Sequence, residues 1–334
     1  MLESPQQSVV GTVQVVFAGS QHTLSDLARA YGLGYDELIA ANPGVDPWLP
    51  GENTPVLLPT QYVLPDVPRE GIVLNIASKR LFYFPKVPAG QAQIVKTYPI
   101  GIGRVGWETP LGVTTVSAKA KDPDWYVPWS VRQEHAELGN PLPPVIPPGP
   151  DNPLGHRVLK LEMPGYLIHG TNQPYGVGMR VSHGCVRLYP ENIEYLYEIV
   201  DIGEPVVIIN EPFLLGHLDG EWYFESHTPL ADDAISPERR LEHLFESHSG
   251  ESGIDSRYSD QVRLIASNAE GVPLRLGDRD DEVLANARLV RNTVEIDPDA
   301  PTLLEVREMI DEALREAEAE TVAEEDAGRE VESL

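Results

Sequence analysis

The chain has 334 residues and a single cysteine, Cys185, in the block Ser182-His183-Gly184-Cys185-Val186-Arg187-Leu188. His169 lies sixteen residues upstream, in Tyr166-Leu167-Ile168-His169-Gly170-Thr171. A lone thiol is more often a buried, inert side chain than a nucleophile, and its surroundings decide which it is. A free thiol has a pKa of about 8.5 and is mostly protonated at neutral pH. An imidazolium or a helix dipole turns it into a strong nucleophile by stabilising the thiolate. His169 is the candidate for that partner. Gly184 lets backbone N–H groups turn inward. The N–H groups of Gly184 and Cys185 would then hold the oxyanion of a tetrahedral intermediate, an effect of roughly 3 kcal/mol per donor. Zinc binding by His169, His183 and Cys185 is the weaker reading. Only one residue separates His183 from Cys185, and no further set of ligands accompanies them.

These residues need strands and a turn to position them. His169 ends an apolar run, as a residue at a strand end does. Gly170, Gly176 and Gly178 allow the following loop to fold back. Pro190-Glu191-Asn192 opens a helix over residues 193–200, with Pro and Glu in favourable early positions. Residues 72–76 and 80–84 flank Ala77-Ser78-Lys79 as a hairpin. Strands are expected at 94–100, 113–118, 158–161, 166–169 and 206–209, so this part is mostly β. The proline-rich stretch 140–153 cannot be helix or central strand. It reads as an ordered loop rather than a linker, because β-like segments continue on both sides. Trp129 and Tyr166 read as core or loop-packing residues.

The flanks differ in kind. Residues 9–59 give the order strand, helix, helix, strand. Thr23 is placed to cap the first helix, with Asp26 at its third position. Beyond Pro212 the signal weakens. One strand is expected at 220–225 and helices at 239–246 and 258–266. Val306, Ile310, Ala313, Leu314 and Ala317 form a further helical apolar face.

Composition sets the outer bounds. The chain is 41% hydrophobic and 23% charged, which suits a globular protein, and its 31 prolines and 28 glycines favour turns and strands. Its net charge of -27 repels phosphate backbones and argues against nucleic-acid binding. Residues 302–334 carry twelve acids and three arginines, -9 of that total, and read as a solvated helix face with no catalytic role. With one cysteine no intramolecular disulfide forms. No apolar run is long enough to span a membrane. Met1-Leu2-Glu3-Ser4 has no basic-then-apolar leader. That leaves a cytoplasmic protein or a mature exported form.

The His169-Gly170-Thr171 and Ser182-His183-Gly184-Cys185-Val186-Arg187-Leu188 blocks strongly resemble the YkuD-like catalytic domain of the L,D-transpeptidases. The resemblance covers about residues 71–210. Thr109-Pro110-Leu111-Gly112 and the stretch ending Asp151-Asn152-Pro153-Leu154-Gly155 resemble its ErfK/YbiS-like branch, which attaches an envelope lipoprotein in Gram-negative bacteria. Thr23-Leu24-Ser25-Asp26-Leu27-Ala28, Tyr31-Gly32, Leu38-Ile39-Ala40-Ala41-Asn42-Pro43 and Leu57-Leu58-Pro59 resemble a LysM module, which binds N-acetylglucosamine-containing glycans. Gln21-His22 replace the usual Gly-Asp there.

The resemblance implies a mainly β catalytic domain of β-sandwich or barrel type over 70–211. A small α+β (βααβ) LysM-like domain over 9–62 precedes it, and an α-rich extension over 212–334 follows. It implies that Cys185 attacks a diaminopimelate carbonyl in a peptidoglycan tetrapeptide stem and that D-alanine leaves. A second diaminopimelate or a lipoprotein Lys then resolves the thioester, whereas water would make the protein an L,D-carboxypeptidase. In the family a backbone carbonyl after the catalytic His completes the triad, here that of Gly170. The implied catalytic set is Cys185, His169, Gly170, Gly184 and His183, with Arg187, Ser182 and Thr171 on the substrate side. His183 either orients the loop or moves protons. Arg187 either forks onto the stem carboxylate or pairs with an acid such as Glu191. No cofactor or metal is implied. Peptidoglycan stems and glycan are the implied partners, and the implied place is the periplasm, with the signal peptide absent from this chain. A non-catalytic wall-binding protein centred on the LysM-like segment is the alternative from another class.

Overall fold

The computed structural model describes residues 7–88, 90–248, 255–278, 283–294 and Arg315. The chain divides into two compact units. One takes residues 1–97 and 209–303, and the other takes 98–208 and 304–334.

The first unit opens with strands β1 (Val9–Gly11) and β2 (Gln14–Phe17), helices α1 (Leu24–Ala30) and α2 (Tyr35–Ala40), and strands β3 (Pro55–Leu58) and β4 (Gln61–Val63). β2 pairs antiparallel with β3, and β1 with β4. α1 starts as expected. Thr23 Oγ1 accepts from Asp26 N at 3.0 Å, and Asp26 Oδ2 accepts from Thr23 N at 2.9 Å. This reciprocal cap satisfies two backbone donors that would otherwise be orphaned. Buried Asn42 ties α2 to β3, donating to Leu38 O and Leu57 O and accepting from Leu57 N. The hairpin of β5 (Gly71–Asn75) and β6 (Arg80–Phe84) is buried throughout, and Lys79 turns it at φ +49°. Arg80 is fully buried. Its guanidinium pairs with Glu37 of α2 at 2.5 Å and stands 4.2 Å from the Tyr62 ring centroid.

The expected strand at 94–100 shrinks to β7 (Lys96–Pro99). The second unit then supplies β8 (Ile102–Gly103), β9 (Gly112–Lys121), β10 (Trp125–Tyr126), α3 (Trp129–Glu137), β11 (Val145–Ile146), β12 (Arg157–Leu161), β13 (Leu167–His169), β14 (Arg180–Ser182), β15 (Val186–Arg187), α4 (Pro190–Ile199) and β16 (Pro205–Ile209). Strands β15-β13-β12-β9-β16 lie side by side. β13 and β15 run parallel, with Ile168 opposite Val186 and His169 opposite Arg187. β8 and β14 form a second parallel pair, with Ser182 opposite Gly103. α4 begins at Pro190 and buries Ile193 and Leu196. The proline-rich stretch is an ordered loop. β11 inside it pairs with β10, and buried Asn152 donates to the carbonyls of Pro123, Ile146 and Pro147. Helix α3 was not expected. Val131 is its only buried residue, so it has no apolar stripe to announce it. Trp129 is 70% exposed, which corrects its reading as a packing residue.

The remainder of the first unit is mixed rather than helical. β17 (Phe213–Leu218), β18 (Glu221–Ser226) and β19 (Leu274–Arg275) form a three-stranded sheet. α5 (Pro237–Ser247) and α6 (Ser259–Asn268) share its core through Leu241, Val262 and Ile265, packed with Phe213, Leu215 and Phe224. After α7 (Val283–Asn286), β20 (Arg288–Leu289) adds to β2 in parallel. The expected apolar face from Val306 to Ala317 lies outside the described residues. Among the described residues no helix is long and apolar enough to cross a membrane.

Candidate active site

Every residue singled out for chemistry lies in the second unit. His169 closes β13 and is 3% exposed. Its Nδ1 donates to the carbonyl oxygen of its own neighbour, Gly170, at 2.6 Å. A carbonyl only accepts, so this bond puts the ring proton on Nδ1 and leaves Nε2 as a lone-pair acceptor. Gly170 is packed closely: a Cβ there would come within 3.1 Å of Ile193 Cγ2. Helix α4 thereby backs the peptide that holds the imidazole. Burial, and after it the Arg187 charge, push the His169 pKa down to about 3, against the pull of the Gly170 and Leu154 carbonyls.

Cys185 immediately precedes β15, and the parallel register of β15 with β13 brings it beside the strand that ends in His169. It is half-buried, with Sγ 3.6 Å from Gly165 O. Burial pushes its pKa up, against the Leu167 backbone and Arg187, which favour the thiolate. Burial thus disfavours the charged form of both the thiol and the imidazole. That runs against a resting imidazolium partner: among the described residues no carboxylate is bonded to His169 to offset the desolvation of a charged ring.

The turn that carries the thiol is fixed at its carbonyls. Thr109 Oγ1 donates to Gly184 O at 2.9 Å, and Ser182 Oγ donates to Cys185 O at 2.5 Å. In a trans peptide the N–H points opposite to the C=O, so the Thr109 bond also aims the Cys185 N–H. Gly184 has φ +92°, a conformation that favours glycine, and a Cβ there would meet the Tyr166 ring at 3.0 Å. Among the described residues neither the Gly184 nor the Cys185 N–H has a hydrogen-bond acceptor. Two donors stand beside the nucleophile, as an oxyanion site requires.

His183 faces a different environment. Its Nε2 meets Glu134 Oε2 of α3 at 2.8 Å, and the other Glu134 oxygen pairs with Arg104. The Trp107 ring stands edge-on to His183 at 5.0 Å. Burial lowers the His183 pKa despite the Glu134 bond, with Arg104 and Arg187 adding to the shift. Partial burial works against the Glu134 charge, but His183 and Arg104 outweigh it and hold the carboxyl below its usual range. Arg187 sits opposite His169, and its charge acts on His169, His183 and Cys185 together. Thr171 is buried and its hydroxyl accepts from Gln173 N at 2.9 Å.

The structure thus gathers Cys185, His169, Gly170, Gly184, His183 and Arg187 in one place. It gives the Ser182 and Thr171 hydroxyls to backbone groups nearby. Glu134 and Arg104 were missed in the sequence, and Thr109 was noted there only as part of a motif. The Thr-Pro-Leu-Gly motif was the available signal for Thr109. Nothing local marked Glu134.

Residues 69–208 match the model of the YkuD L,D-transpeptidase catalytic domain. The probable L,D-transpeptidase YbiS of Escherichia coli K12 is 38% identical over 278 residues, 80% of this chain and 88% of that protein. The probable L,D-transpeptidase YcfS of the same strain is 44% identical over 215 residues, 63% of this chain and 66% of that one. Among solved structures, L,D-transpeptidase 3 of Mycobacterium tuberculosis overlaps with a TM-score of 0.31 at 20% identity, covering 46% of this chain and 66% of that one. With the extended match to YbiS and a cysteine-histidine site inside the matched segment, the chain belongs to the YkuD family of cysteine-dependent L,D-transpeptidases.

Proposed function

We propose that Cys185 is the nucleophile and His169 the proton carrier of an L,D-transpeptidase that acts on peptidoglycan tetrapeptide stems. The observation that carries this reading is the bond from His169 Nδ1 to Gly170 O, which leaves Nε2 free to accept. His169 Nε2 takes the Sγ proton as the sulfur–carbon bond forms at the diaminopimelate L-centre carbonyl. The carbonyl electrons move to an oxyanion held by the Gly184 and Cys185 N–H groups. Collapse of that intermediate breaks the amide bond, and His169 returns the proton to the D-alanine amine as it leaves. An acceptor amine then attacks the thioester, gives a proton to Nε2 and releases the thiol, which regains that proton. A neutral imidazole at rest suits this cycle, because a base must be unprotonated to begin it.

Arg187 binds the stem carboxylate through its fork. Thr171 and Ser182 hold the loop segments against which the stem lies. Residues 9–62 contact glycan as a LysM-like domain, and 70–211 form the catalytic domain. The acceptor is a second diaminopimelate, giving a 3-3 cross-link, or the Lys of an envelope lipoprotein, and the enzyme works in the periplasm.

Incubation of the protein and its Cys185→Ala variant with a purified disaccharide-tetrapeptide, read by mass spectrometry, tests the assignment. Loss of D-alanine with dimer formation, absent in the variant, is the expected result. Tripeptide without dimer would point to a carboxypeptidase, or to an acceptor not supplied, such as a lipoprotein Lys. Turnover undiminished in Cys185→Ala would remove Cys185 from the mechanism.

A further inference from the structure

The His183–Cys185 turn is reached by two independent sets of contacts. From below, Thr109 and Ser182 fix its carbonyls. From the side, Glu134 bridges two groups: one oxygen meets His183 Nε2 at 2.8 Å and the other pairs with the Arg104 guanidinium. Arg104 is not a bystander. Its backbone N–H donates to Ser182 O at 2.9 Å, the residue before His183. Its carbonyl accepts from Trp107 N at 3.0 Å, and its guanidinium stands 5.3 Å from the Trp107 ring. That ring is the one edge-on to His183. Glu134 therefore closes a loop of contacts that runs Ser182, Arg104, Glu134, His183. The loop holds the residue immediately before Gly184 by both its ring and its chain neighbour.

We propose that Glu134 is a positioning residue for the reaction: through His183 and Arg104 it fixes the turn that presents the Gly184 and Cys185 N–H groups to the oxyanion. It touches no reacting atom. The proposal rests on the nucleophile and oxyanion assignments above. Its chemistry follows from the carboxylate itself, which has two acceptor oxygens and can satisfy an imidazole N–H and a guanidinium at once. A glutamine still accepts from His183 through its one oxygen, but its NH2 is a donor and cannot serve the buried Arg104 guanidinium, so the Arg104 contact is lost. An alanine loses both contacts.

The test compares Glu134→Ala, Glu134→Gln and, as a control on the same helix, Glu137→Ala. Among the described residues the Glu137 side chain accepts only from Gln133 Nε2, at 2.9 Å. Two readouts are needed. The first is the backbone amide signals of Gly184 and Cys185 by NMR, which require no substrate. Glu134→Ala is expected to shift and broaden both, Glu134→Gln to shift them less, and Glu137→Ala to leave them as in wild type. The second is D-alanine release. Glu134→Ala is expected to lower kcat about tenfold with KM within twofold, short of the 10²–10³-fold lost when an oxyanion donor is removed outright. Glu134→Gln, which keeps the His183 contact alone, is expected to fall between Glu134→Ala and wild type, about threefold below wild type.

Unmoved amide signals in a folded Glu134→Ala protein would overturn the proposal. So would a Glu134→Gln as damaged as Glu134→Ala, since the retained His183 contact would then hold nothing in place. A rise in KM with kcat unchanged would overturn it too, because it would place Glu134 in substrate binding. If the wild-type protein releases no D-alanine, the functional reading fails, and the amide signals still decide whether Glu134 positions the turn.

Discussion

His169 and His183 are fourteen residues apart in the chain and serve the same turn, but the fold gives them opposite partners. Among the described residues His169 meets backbone carbonyls and no carboxylate, while His183 meets the Glu134 carboxylate. Burial is the largest influence on both and lowers both. The difference lies in what remains free. Nδ1 of His169 is committed to the backbone, so Nε2 keeps its lone pair for chemistry. Nε2 of His183 is committed to Glu134 and to the Arg104 network behind it. In the proposed mechanism one histidine moves a proton and the other holds a shape. For His183, where the sequence leaves orientation and proton transfer both open, the Glu134 bond supports orientation.

The largest expected effect separates the two roles directly. His169→Gln should reduce kcat for D-alanine release by about 10²–10⁴-fold, the range for a general acid–base group. His183→Gln should cost about tenfold, as Glu134→Ala does, because both remove the His183–Glu134 contact. Steady-state kinetics of the two variants checks this, and equal losses would erase the distinction.

Thr109 tests the turn from its other side. Thr109→Val keeps the shape and removes the donor to Gly184 O. The peptide is then free to rotate its N–H away from the oxyanion, so kcat should fall by up to about 10²-fold, the lower bound for losing a donor entirely. A Thr109→Val enzyme with wild-type kcat would show that the turn needs no help from below. The double variant with Glu134→Ala adds information: losses that fail to multiply mean that both residues act on the same turn.

The pH dependence of stability sharpens the comparison in free-energy terms. An unfolded histidine titrates near 6.5 and folded His169 near 3. Between these values the unfolded chain binds a proton that the folded chain refuses, so stability falls as pH falls and is fully present above about 6.5. From pH 7 to pH 5 the loss from this one group is about 2 kcal/mol. Urea unfolding at the two pH values should show a drop smaller by about that amount in His169→Gln. An identical drop in variant and wild type would mean that His169 is protonated in the folded state.

The two histidines also differ in how well the sequence announced them. His169, Gly170, Gly184 and Cys185 were legible because their relation is local: a strand end, a turn and a spacing. The α1 cap and the β5–β6 hairpin were legible for the same reason. Glu134 was not, because its bond to His183 spans 49 residues and α3 buries only Val131, leaving no periodic signal. The resting charge state of the site was also hidden. Residue types suggest an imidazolium, and the burial of His169 disfavours it. The β17 strand, Phe-Leu-Leu-Gly-His-Leu, is broken by a glycine and does not alternate. The first unit is assembled from two stretches far apart in the chain, 1–97 and 209–303, an arrangement no local pattern encodes.

The smallest expected effect concerns Arg187, which acts on both histidines and on the thiol. Burial raises the Cys185 pKa, and Arg187 opposes that rise. Alkylation by iodoacetamide follows the thiolate fraction, so its rate should be low at pH 7 and climb through pH 9 without the plateau of an ordinary thiol near 8.5. Arg187→Gln removes a stabilising cation and should slow alkylation a few-fold at pH 8. The same substitution also removes a positive charge that depresses both histidines, so their pKa values should rise in the variant. The two shifts have opposite consequences for a neutral pair: the thiol becomes harder to ionise and the base stronger. If the alkylation rate instead rises in Arg187→Gln, Cys185 is ionised by His169 at rest. The pair would then be a thiolate–imidazolium after all, and the contrast between the two histidines would rest on partner geometry alone.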